Sequence, residues 1–478
     1  MRNMRIMLVA SEGMPFIKTG GLADVIGSLP KELIALGAEA AVIMPLHAKV
    51  KSEWSDKLEF IADAWIGLGW KTKYMGLFHL EQDGVQYYFI DNEEYFGGPV
   101  YKGGVAEVEQ YAYFCRAVLS SLNYITFKPD ILHCNDYHTG MIPMLLKTQY
   151  QNAEFAYIKT MYTIHNMQFQ GKIDFKSMQE LLSIPSMYNT PEFIEAHDDA
   201  NMMKAALVFS DLITTVSPNY ANELTNAYFA MGMEGIINAR RHQLIGIVNG
   251  IDYDEFDPAK DPTLAKHYTI KTIENKLEDK KALCQEFGFD PESDAPIISM
   301  VTRMTKQKGL DLVMYALEEL LQSNVRFIML GSGDFRYHEF FNYIAGKYPG
   351  TAGIYIGYDE DKAHRIYAGS DFFLMPSLFE PCGLSQMISQ RYGTLPIVRE
   401  TGGLVDTVIP YNKFTGEGDG FSFKGFNAHE MLGSIYYALE VYYDKDALKL
   451  LQENAMLKDN SFHRSAEEYM KHYGGLYG

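Results

Sequence analysis

The chain is poor in the features that mark secreted, membrane-spanning or nucleic-acid-binding proteins. Cysteine is scarce, with only Cys115, Cys134, Cys284 and Cys382 in 478 residues. No two stand in C-x-x-C spacing, which excludes a disulfide framework and a zinc knuckle and predicts a reducing, cytoplasmic setting. No apolar run approaches the roughly 20 residues needed to cross a bilayer, so no membrane partner is expected. The apolar stretch behind Met1-Arg2-Asn3-Met4-Arg5 is too short for a signal-peptide core and runs into Ser11-Glu12-Gly13; it reads as a first strand. Positive charge is also short. Lys and Arg number 42 against 61 Asp and Glu, a formal net charge of −19. No Lys/Arg run exceeds two residues, which argues against nucleic acid. An anionic ligand must then be held by a few local cations against the overall field. Three fingerprints are missing. The first strand–helix turn lacks G-x-G-x-x-G, which disfavours a dinucleotide oxidoreductase. The chain has neither G-x-x-x-x-G-K-[ST] nor G-x-S-x-G, which disfavours P-loop and nucleophile-elbow chemistry.

What is present suits a soluble globular protein: 47% hydrophobic and 22% charged residues, in a chain long enough for two or three domains. Strand-length apolar runs occur at 5–10, 39–44, 86–90, 130–134, 157–164 and 212–216. A second set lies at 296–302, 325–330, 353–356, 371–375 and 395–398. Helical patterns fill the gaps at 24–36, 107–123, 310–322, 335–345 and 384–392. Most of the strand runs lack polar alternation, as parallel strands covered on both faces do. The pattern predicts an α/β fold of doubly wound parallel sheets. A polar stretch with Asp257-Pro258 and Asp261-Pro262, then charges at Glu278 to Lys281, separates the two strand sets. The boundary is placed near Val248, giving domains 1–248 and 249–459. A last helix within 460–478 is expected to rejoin the first domain.

One hexapeptide pattern, T-G-G-L-x-D, occurs twice, as Thr19-Gly20-Gly21-Leu22-Ala23-Asp24 and Thr401-Gly402-Gly403-Leu404-Val405-Asp406. Paired glycines expose backbone N–H groups, and a helix N-terminus behind them favours anions. Two copies in two domains suggest two lips of one cleft, whereas either alone could be a plain strand–helix turn. Other uncommon residues also fall at strand ends: Glu12 and Lys18; Asn135, Asp136 and His138; His165 and Asn166; Arg303, Lys306 and Lys308; Tyr358; and Ser377 to Glu380. Arg303 offers a bidentate fork and Lys308 a point charge, a combination suited to phosphate. Glu380, ahead of a helix, can accept sugar hydroxyls and is expected to be kept ionised by the helix N-terminus; a capping carboxylate is the alternative. Cys382 reads as a packed thiol rather than a nucleophile. His133 and His138 are not in a ligand spacing, so no metal is expected.

The segments Lys18-Thr19-Gly20-Gly21-Leu22, Thr163-Ile164-His165-Asn166, Thr215-Val216-Ser217-Pro218, Val248-Asn249-Gly250-Ile251-Asp252, Lys306-Gln307-Lys308-Gly309 and Glu380-Pro381-Cys382-Gly383-Leu384 together resemble bacterial glycogen synthases and plant starch synthases, in order over nearly the whole chain. The resemblance implies a GT-B fold, two Rossmann-like domains facing across a deep cleft. It implies a retaining transferase moving glucose from ADP-glucose to the non-reducing end of an α-1,4-glucan, without a cofactor or metal. By the same resemblance Arg303 and Lys308 hold the diphosphate, helped by the amides of Thr401, Gly402 and Gly403, and Lys18 joins them when the cleft closes. Glu380 binds donor glucose hydroxyls, and His165 with Asn166 binds the outer ones. Gly20, Gly21, Cys382 and Gly383 line the site, Tyr358 stacks on adenine, and Asp136 lies towards the acceptor. The role of Asp24 stays open, with a helix-start carboxylate as the alternative. Two positions depart from the pattern: Phe169 stands where relatives often carry Tyr. Ile388 stands where broader relatives carry a second Glu, which fits the glucan synthase branch.

Overall fold

The structure, a computed structural model, describes residues 3–151 and 154–478; Met1 and Arg2 of the opening stretch lie outside them. It divides into two compact units, Met1–Asn249 with Phe462–Gly478, and Gly250–Ser461. The chain thus leaves the first unit at Asn249 and re-enters it with the final helix, which begins at Phe462.

The first unit holds β1 (Arg5–Val9), β2 (Glu39–Pro45), β3 (Glu59–Leu68), β4 (Lys71–Gln82), β5 (Val85–Asp91), β6 (Ile131–Asn135), β7 (Lys159–Ile164), β8 (Lys172–Asp174), β9 (Glu195–Ala196), β10 (Asp199–Asn201), β11 (Leu212–Thr215) and β12 (Leu244–Gly246). Its main sheet runs β12-β11-β7-β6-β1-β2-β5-β4-β3, and β8, β10 and β9 form a small second sheet. From β12 to β5 every pairing is parallel. The edge departs from the all-parallel expectation, because β3 and β4 form an antiparallel hairpin that continues antiparallel onto β5. That hairpin shows water a mixture of charged and aromatic side chains, with Phe60 and Trp65 more than half exposed, so it has no continuous apolar run.

The second unit holds β13 (Ile297–Val301), β14 (Arg326–Gly331), β15 (Ala352–Ile356), β16 (Phe372–Met375), β17 (Leu395–Arg399) and β18 (Phe421–Phe423). They form one parallel sheet, β15-β14-β13-β16-β17-β18. Counted within the unit this is 3-2-1-4-5-6, the doubly wound order, and the parallel part of the first sheet follows the same order. Successive strand residues feed opposite faces. Ile298, Phe327 and Met329 join the core under helices Leu310–Leu321, Phe335–Lys347 and Ala428–Tyr443. Ile297, Ile328 and Leu330 join the other core, with Leu283 and Ile366. The charged run at 278–281 belongs to helix Lys276–Glu286 rather than to a linker. Its buried side is polar: Lys280 Nζ lies 2.7 Å from Asp371 Oδ2 and Lys276 Nζ 2.7 Å from Thr394 Oγ1. Hydrogen bonding, not apolar periodicity, seats it.

The last helix, Phe462–Tyr477, packs Phe462, Ala466, Tyr469 and Tyr473 into the core formed by helix Gly21–Ala35 and the sheet. Buried His133 on β6 bonds through Nδ1 to the Tyr473 hydroxyl and through Nε2 to Thr163 Oγ1, both at 2.6 Å. With both ring nitrogens committed to hydroxyls, His133 is a core residue. Tyr473→Phe should cost about 1 kcal/mol, the worth of one buried hydrogen bond. Tyr473→Ala should cost about 3–5 kcal/mol through the cavity. Urea unfolding of both variants measures the difference, and equal losses would show that the hydroxyl contributes nothing.

Candidate functional site

Open α/β sheets bind ligands past the carboxyl ends of their strands, where strand order reverses. That point lies between β13 and β16 in the second unit and between β1 and β6 in the first. The two strand tips at each point carry the residues singled out above.

In the second unit the loop after β13 carries Arg303, Lys306 and Lys308, and the loop after β16 carries Ser377 to Glu380. Backbone bonds zip them together: Leu378 N–H donates to Gln307 O at 2.8 Å, and Gln307 Nε2 donates to Phe379 O at 3.3 Å. Gly309, at φ 72°, ends the short turn Lys306–Lys308. A Cβ there would stand 1.9 Å from Pro376 O, so only glycine lets the two loops close. Across this contact Lys308 Nζ lies 2.6 Å from Glu380 Oε2, and the Ser377 hydroxyl donates to the same oxygen at 3.0 Å. Glu380 is 5% exposed. Its other oxygen has no partner among the described residues.

The structure places a cation rather than a helix N-terminus beside Glu380. The following helix begins only at Ser385 and has no side-chain cap. The nearby charge is Lys308, and Glu380 is not a capping carboxylate. Arg399 braces the segment from behind, its NH1 donating to Ser377 O at 3.1 Å and Leu378 O at 2.8 Å. Arg303 is exposed and its side chain has no hydrogen-bond or ion-pair partner among the described residues, leaving its fork open to an anion.

The Thr401-Gly402-Gly403 loop after β17 lies directly on the Glu380 segment. A Cβ on Gly402 (φ 47°) would come 1.8 Å from Glu380 O. One on Gly403 would come 2.5 Å from Cys382 Cα. The Gly403 N–H donates to Glu380 O at 3.0 Å and Pro381 O at 3.2 Å. The expectation that this amide serves a phosphate is therefore corrected: Gly403 is needed for close packing, and its N–H is spent inside the protein. Thr401 and Cys382 are buried, at 0% and 4% exposure. Gly383, at φ 77°, lies against Gln386, whose Nε2 donates to Cys382 O and Gly383 O. Tyr358, after β15, is 69% exposed, accessible for stacking and farther along the sheet from the reversal point.

In the first unit Asp136 follows β6 with φ 55° and ψ 175°. That region is nearly exclusive to glycine, and holding a side-chain residue there costs about 1–3 kcal/mol. The conformation aims its Oδ1 at the N–H groups of His165 (2.8 Å) and Asn166 (3.3 Å). The tips of β6 and β7 are thus joined through one carboxylate oxygen. Burial pushes the Asp136 carboxyl up to about 7, against the lowering effect of those two amides. Asn135 donates its Nδ2 to the carbonyls of Val9 and His133, so its Oδ1 faces His165 Nε2 at 2.9 Å. His165 must then carry its proton on Nε2 and present Nδ1 as an acceptor. Burial pushes the imidazole down to about 3, keeping it neutral at physiological pH. Asn166 Oδ1 accepts from Gln168 N–H at 3.0 Å, leaving its amide NH₂ as the outward donor.

Lys18 Nζ is paired with Asp24 Oδ1 at 2.6 Å, which gives Asp24 a partner as well as a place in the first turn of helix Gly21–Ala35. Gly20 is the extended N-cap of that helix, and no side chain satisfies its first N–H groups. Gly21 is exposed. Sequence reasoning left three supporting residues without a role: Ser377, Arg399 and Glu12, whose carboxylate accepts the Thr19 N–H. Ser377 and Glu12 stand at strand tips, which was the available signal. Arg399 carries the same signal, closing β17 two residues ahead of the Thr401-Gly402-Gly403 loop.

The chain is similar to known proteins over nearly its whole length. The starch synthase catalytic domain family matches residues 5–239, and glycosyl transferases group 1 matches residues 285–456. A glycogen synthase of Geobacillus thermodenitrificans is 49% identical over 474 residues, 99% of this chain and 98% of that protein. One from Lachnospira eligens is 46% identical over 475 residues, 98% and 99% of the two chains. Among solved structures, the catalytic domain of starch synthase IV from Arabidopsis thaliana bound to ADP and acarbose superposes with a TM-score of 0.92 at 30% identity, covering 100% of both chains. Sucrose-phosphate synthase from Thermosynechococcus elongatus, at 15% identity, TM-score 0.64 and 99% coverage of both chains, shares the fold. With that identity held over nearly its entire length, and with both domains matched in order, the chain belongs to the glycogen synthase and starch synthase family of GT-B glycosyltransferases.

Proposed function

We propose that this protein transfers glucose from ADP-glucose to the non-reducing end of an α-1,4-glucan such as glycogen, with retention at the anomeric carbon. One observation carries the reading at the level of chemistry: the buried Lys308–Glu380 pair at the second unit's reversal point, with Arg303 open beside it. Loss of a nucleoside diphosphate leaves negative charge on a phosphate oxygen, and fixed cations aimed there are the main means of stabilising it. Arg303 supplies the fork, Lys308 a shared point charge, and Lys18 a further cation for the donor. Glu380 keeps one carboxylate oxygen for donor glucose hydroxyls, and His165 Nδ1 and the Asn166 amide take an acceptor and a donor role towards the outer ones. Gly20 and Gly21 bring an uncapped helix start to the donor, Tyr358 stacks on adenine, and Asp136 offers Oδ2 to the acceptor. In the transfer the bond from C1 to the phosphate oxygen breaks and a bond from C1 to the acceptor hydroxyl oxygen forms on the same face. The departing phosphate takes the hydroxyl proton. A cytoplasmic location fits the four buried cysteines, none of them in a disulfide among the described residues.

Incorporation of label from ADP-[¹⁴C]glucose into glycogen should be rapid. Unlabelled ADP-glucose should compete much more strongly than UDP-glucose; the reverse order would reassign the donor. Arg303→Ala should lower kcat/KM by about 10²–10³-fold, the usual loss for a charge-stabilising donor. Its Tm should not move, because the exposed Arg303 side chain has no partner among the described residues. Lys308→Ala should lower both, since it strands the buried Glu380 carboxylate. A stable, fully active Arg303→Ala enzyme would remove Arg303 from the phosphate site.

Asp136 gives a pH prediction. Its folded pKa of about 7 lies above the unfolded value near 4, so between those values the folded state holds the extra proton. Stability should therefore fall as pH rises through that window. The carboxylate form, which accepts a hydroxyl hydrogen bond better, gains population only as pH passes about 7. We expect kcat/KM for glycogen to climb through pH 7 and Asp136→Asn to flatten that limb. An unchanged limb in the variant would assign it to another group.

A further inference from the structure

We infer that Glu12 is a positioning residue for the transfer reaction, its carboxylate latching the loop that presents Lys18 to the sugar-nucleotide donor. The inference rests on the donor role proposed above for Lys18.

Glu12 lies just past β1, at the first unit's reversal point, and is 2% exposed. A carboxylate buried there needs donors, and it finds them in the loop that follows. The Thr19 N–H donates to its Oε2, and the Thr19 and Tyr101 side chains favour its charged form against the burial that raises its pKa. Two residues earlier in the loop a backbone bridge closes: Gly13 N–H donates to Ile17 O at 3.1 Å, and Ile17 N–H donates back to Gly13 O at 3.0 Å. Lys18 therefore stands between two anchored neighbours, Ile17 tied to Gly13 and Thr19 tied to Glu12. Remove the Glu12 tie and Lys18 is held from one side only.

The support under Glu12 is itself rigid. The Ser11 carbonyl accepts from His47 Nε2 at 2.9 Å, and Ser11 Oγ lies 3.0 Å from the Tyr101 hydroxyl. Gly13 packs so closely on helix Gly21–Ala35 that a Cβ would sit 2.5 Å from Ile26 Cγ2. Met14 N–H donates to Ala23 O at 3.0 Å. The latch thus connects the strand tip, the loop and the first turn of the helix that bears Asp24, the ion-pair partner of Lys18. The titratable groups recorded against Glu12 are Asp24 on that helix, Asp136 after β6, Tyr101 and Tyr111. None of these four is a cation, and the Thr19 amide is the donor that meets the carboxylate. Its geometry is spent on the protein's own backbone, which marks a positioning role.

The test is a double-mutant cycle in the full-length protein with Glu12→Ala, Glu12→Gln, Lys18→Ala and the Glu12→Ala/Lys18→Ala double variant. It reads kcat and KM for ADP-glucose and for glycogen, with amide hydrogen exchange at Thr19. Glu12→Ala should lower kcat/KM for ADP-glucose by about ten- to a hundredfold, the range for losing a hydrogen bond to a charged group. KM for glycogen should not change, and exchange at Thr19 should speed up. Gln keeps an oxygen in reach of Thr19 and should recover most of the loss. The double variant should match Lys18→Ala alone, because residues acting as one unit are not additive. Independent multiplication of the two effects would overturn the latch. So would a Gln variant as impaired as Ala, or a defect confined to KM for glycogen, which would make Glu12 an acceptor ligand. If Glu12→Ala does not fold, Glu12→Asp takes its place in the cycle; one methylene shorter, it keeps the charge and loses the reach. A wild type that does not use ADP-glucose would instead sink the donor reading, and exchange at Thr19 would then decide the latch alone.

Discussion

The second unit's site depends on one contact, a lysine and a glutamate brought together from two strand tips. Lys308 and Glu380 lie far apart in sequence and meet at 2.6 Å only because β13 and β16 are neighbours at the point where strand order reverses. A carboxylate as buried as Glu380 would be strongly destabilised without that cation. Glycine is what allows the approach: Gly309 lets the lysine turn lie on Pro376, and Gly402 lets the T-G-G loop lie on the Glu380 carbonyl. The chemistry is thus bought with backbone contacts that no other residue type permits.

The two T-G-G-L-x-D segments show how one short pattern can meet two different demands. In the second copy both glycines are buried against the Glu380–Cys382 backbone, and the helix behind them is short, Gly403–Thr407. In the first copy Gly20 has open space around its Cα, with only Glu12 Oε1 within 4 Å of an added Cβ, at 3.9 Å. The helix behind it is Gly21–Ala35, with fifteen residues. Packing demands glycine in the second copy; in the first it makes no such demand. Reading the repeat as two equivalent anion cradles assigned one reason to two loops whose surroundings differ.

Most of the sheet was legible because parallel strands covered on both faces must be apolar throughout, and those runs stand out against polar loops. The β3–β4 hairpin was not legible, since half-exposed antiparallel strands carrying Glu59, Asp63 and Trp65 break the apolar run. Helix Lys276–Glu286 was hidden for the opposite reason, its buried face mixing Lys276, Asp279 and Lys280 with only Leu283 and Cys284. The site followed the same division. Glu380, Arg303, His165 and Asp136 could be read from their place at strand tips. Their partners could not, because Arg399 acts on Ser377 and Leu378 from a neighbouring strand, and Asn135 sets the tautomer of His165 through an amide orientation fixed by two backbone carbonyls.

Charge accounting ties these observations together. The chain carries a net charge of −19, and two of its candidate site cations have carboxylate partners, Lys18 with Asp24 and Lys308 with Glu380. Pairing does not disable them, because an ammonium group has three donors and a single carboxylate oxygen occupies only one. It does fix their direction and lower their appeal to stray anions, so a ligand must bring enough negative charge to share each lysine with its resident carboxylate. A diphosphate does so; a neutral sugar does not. On the function proposed above, Arg303, whose exposed side chain has no partner among the described residues, supplies the attraction that starts binding, and the paired lysines respond only to an anion that reaches the strand tips.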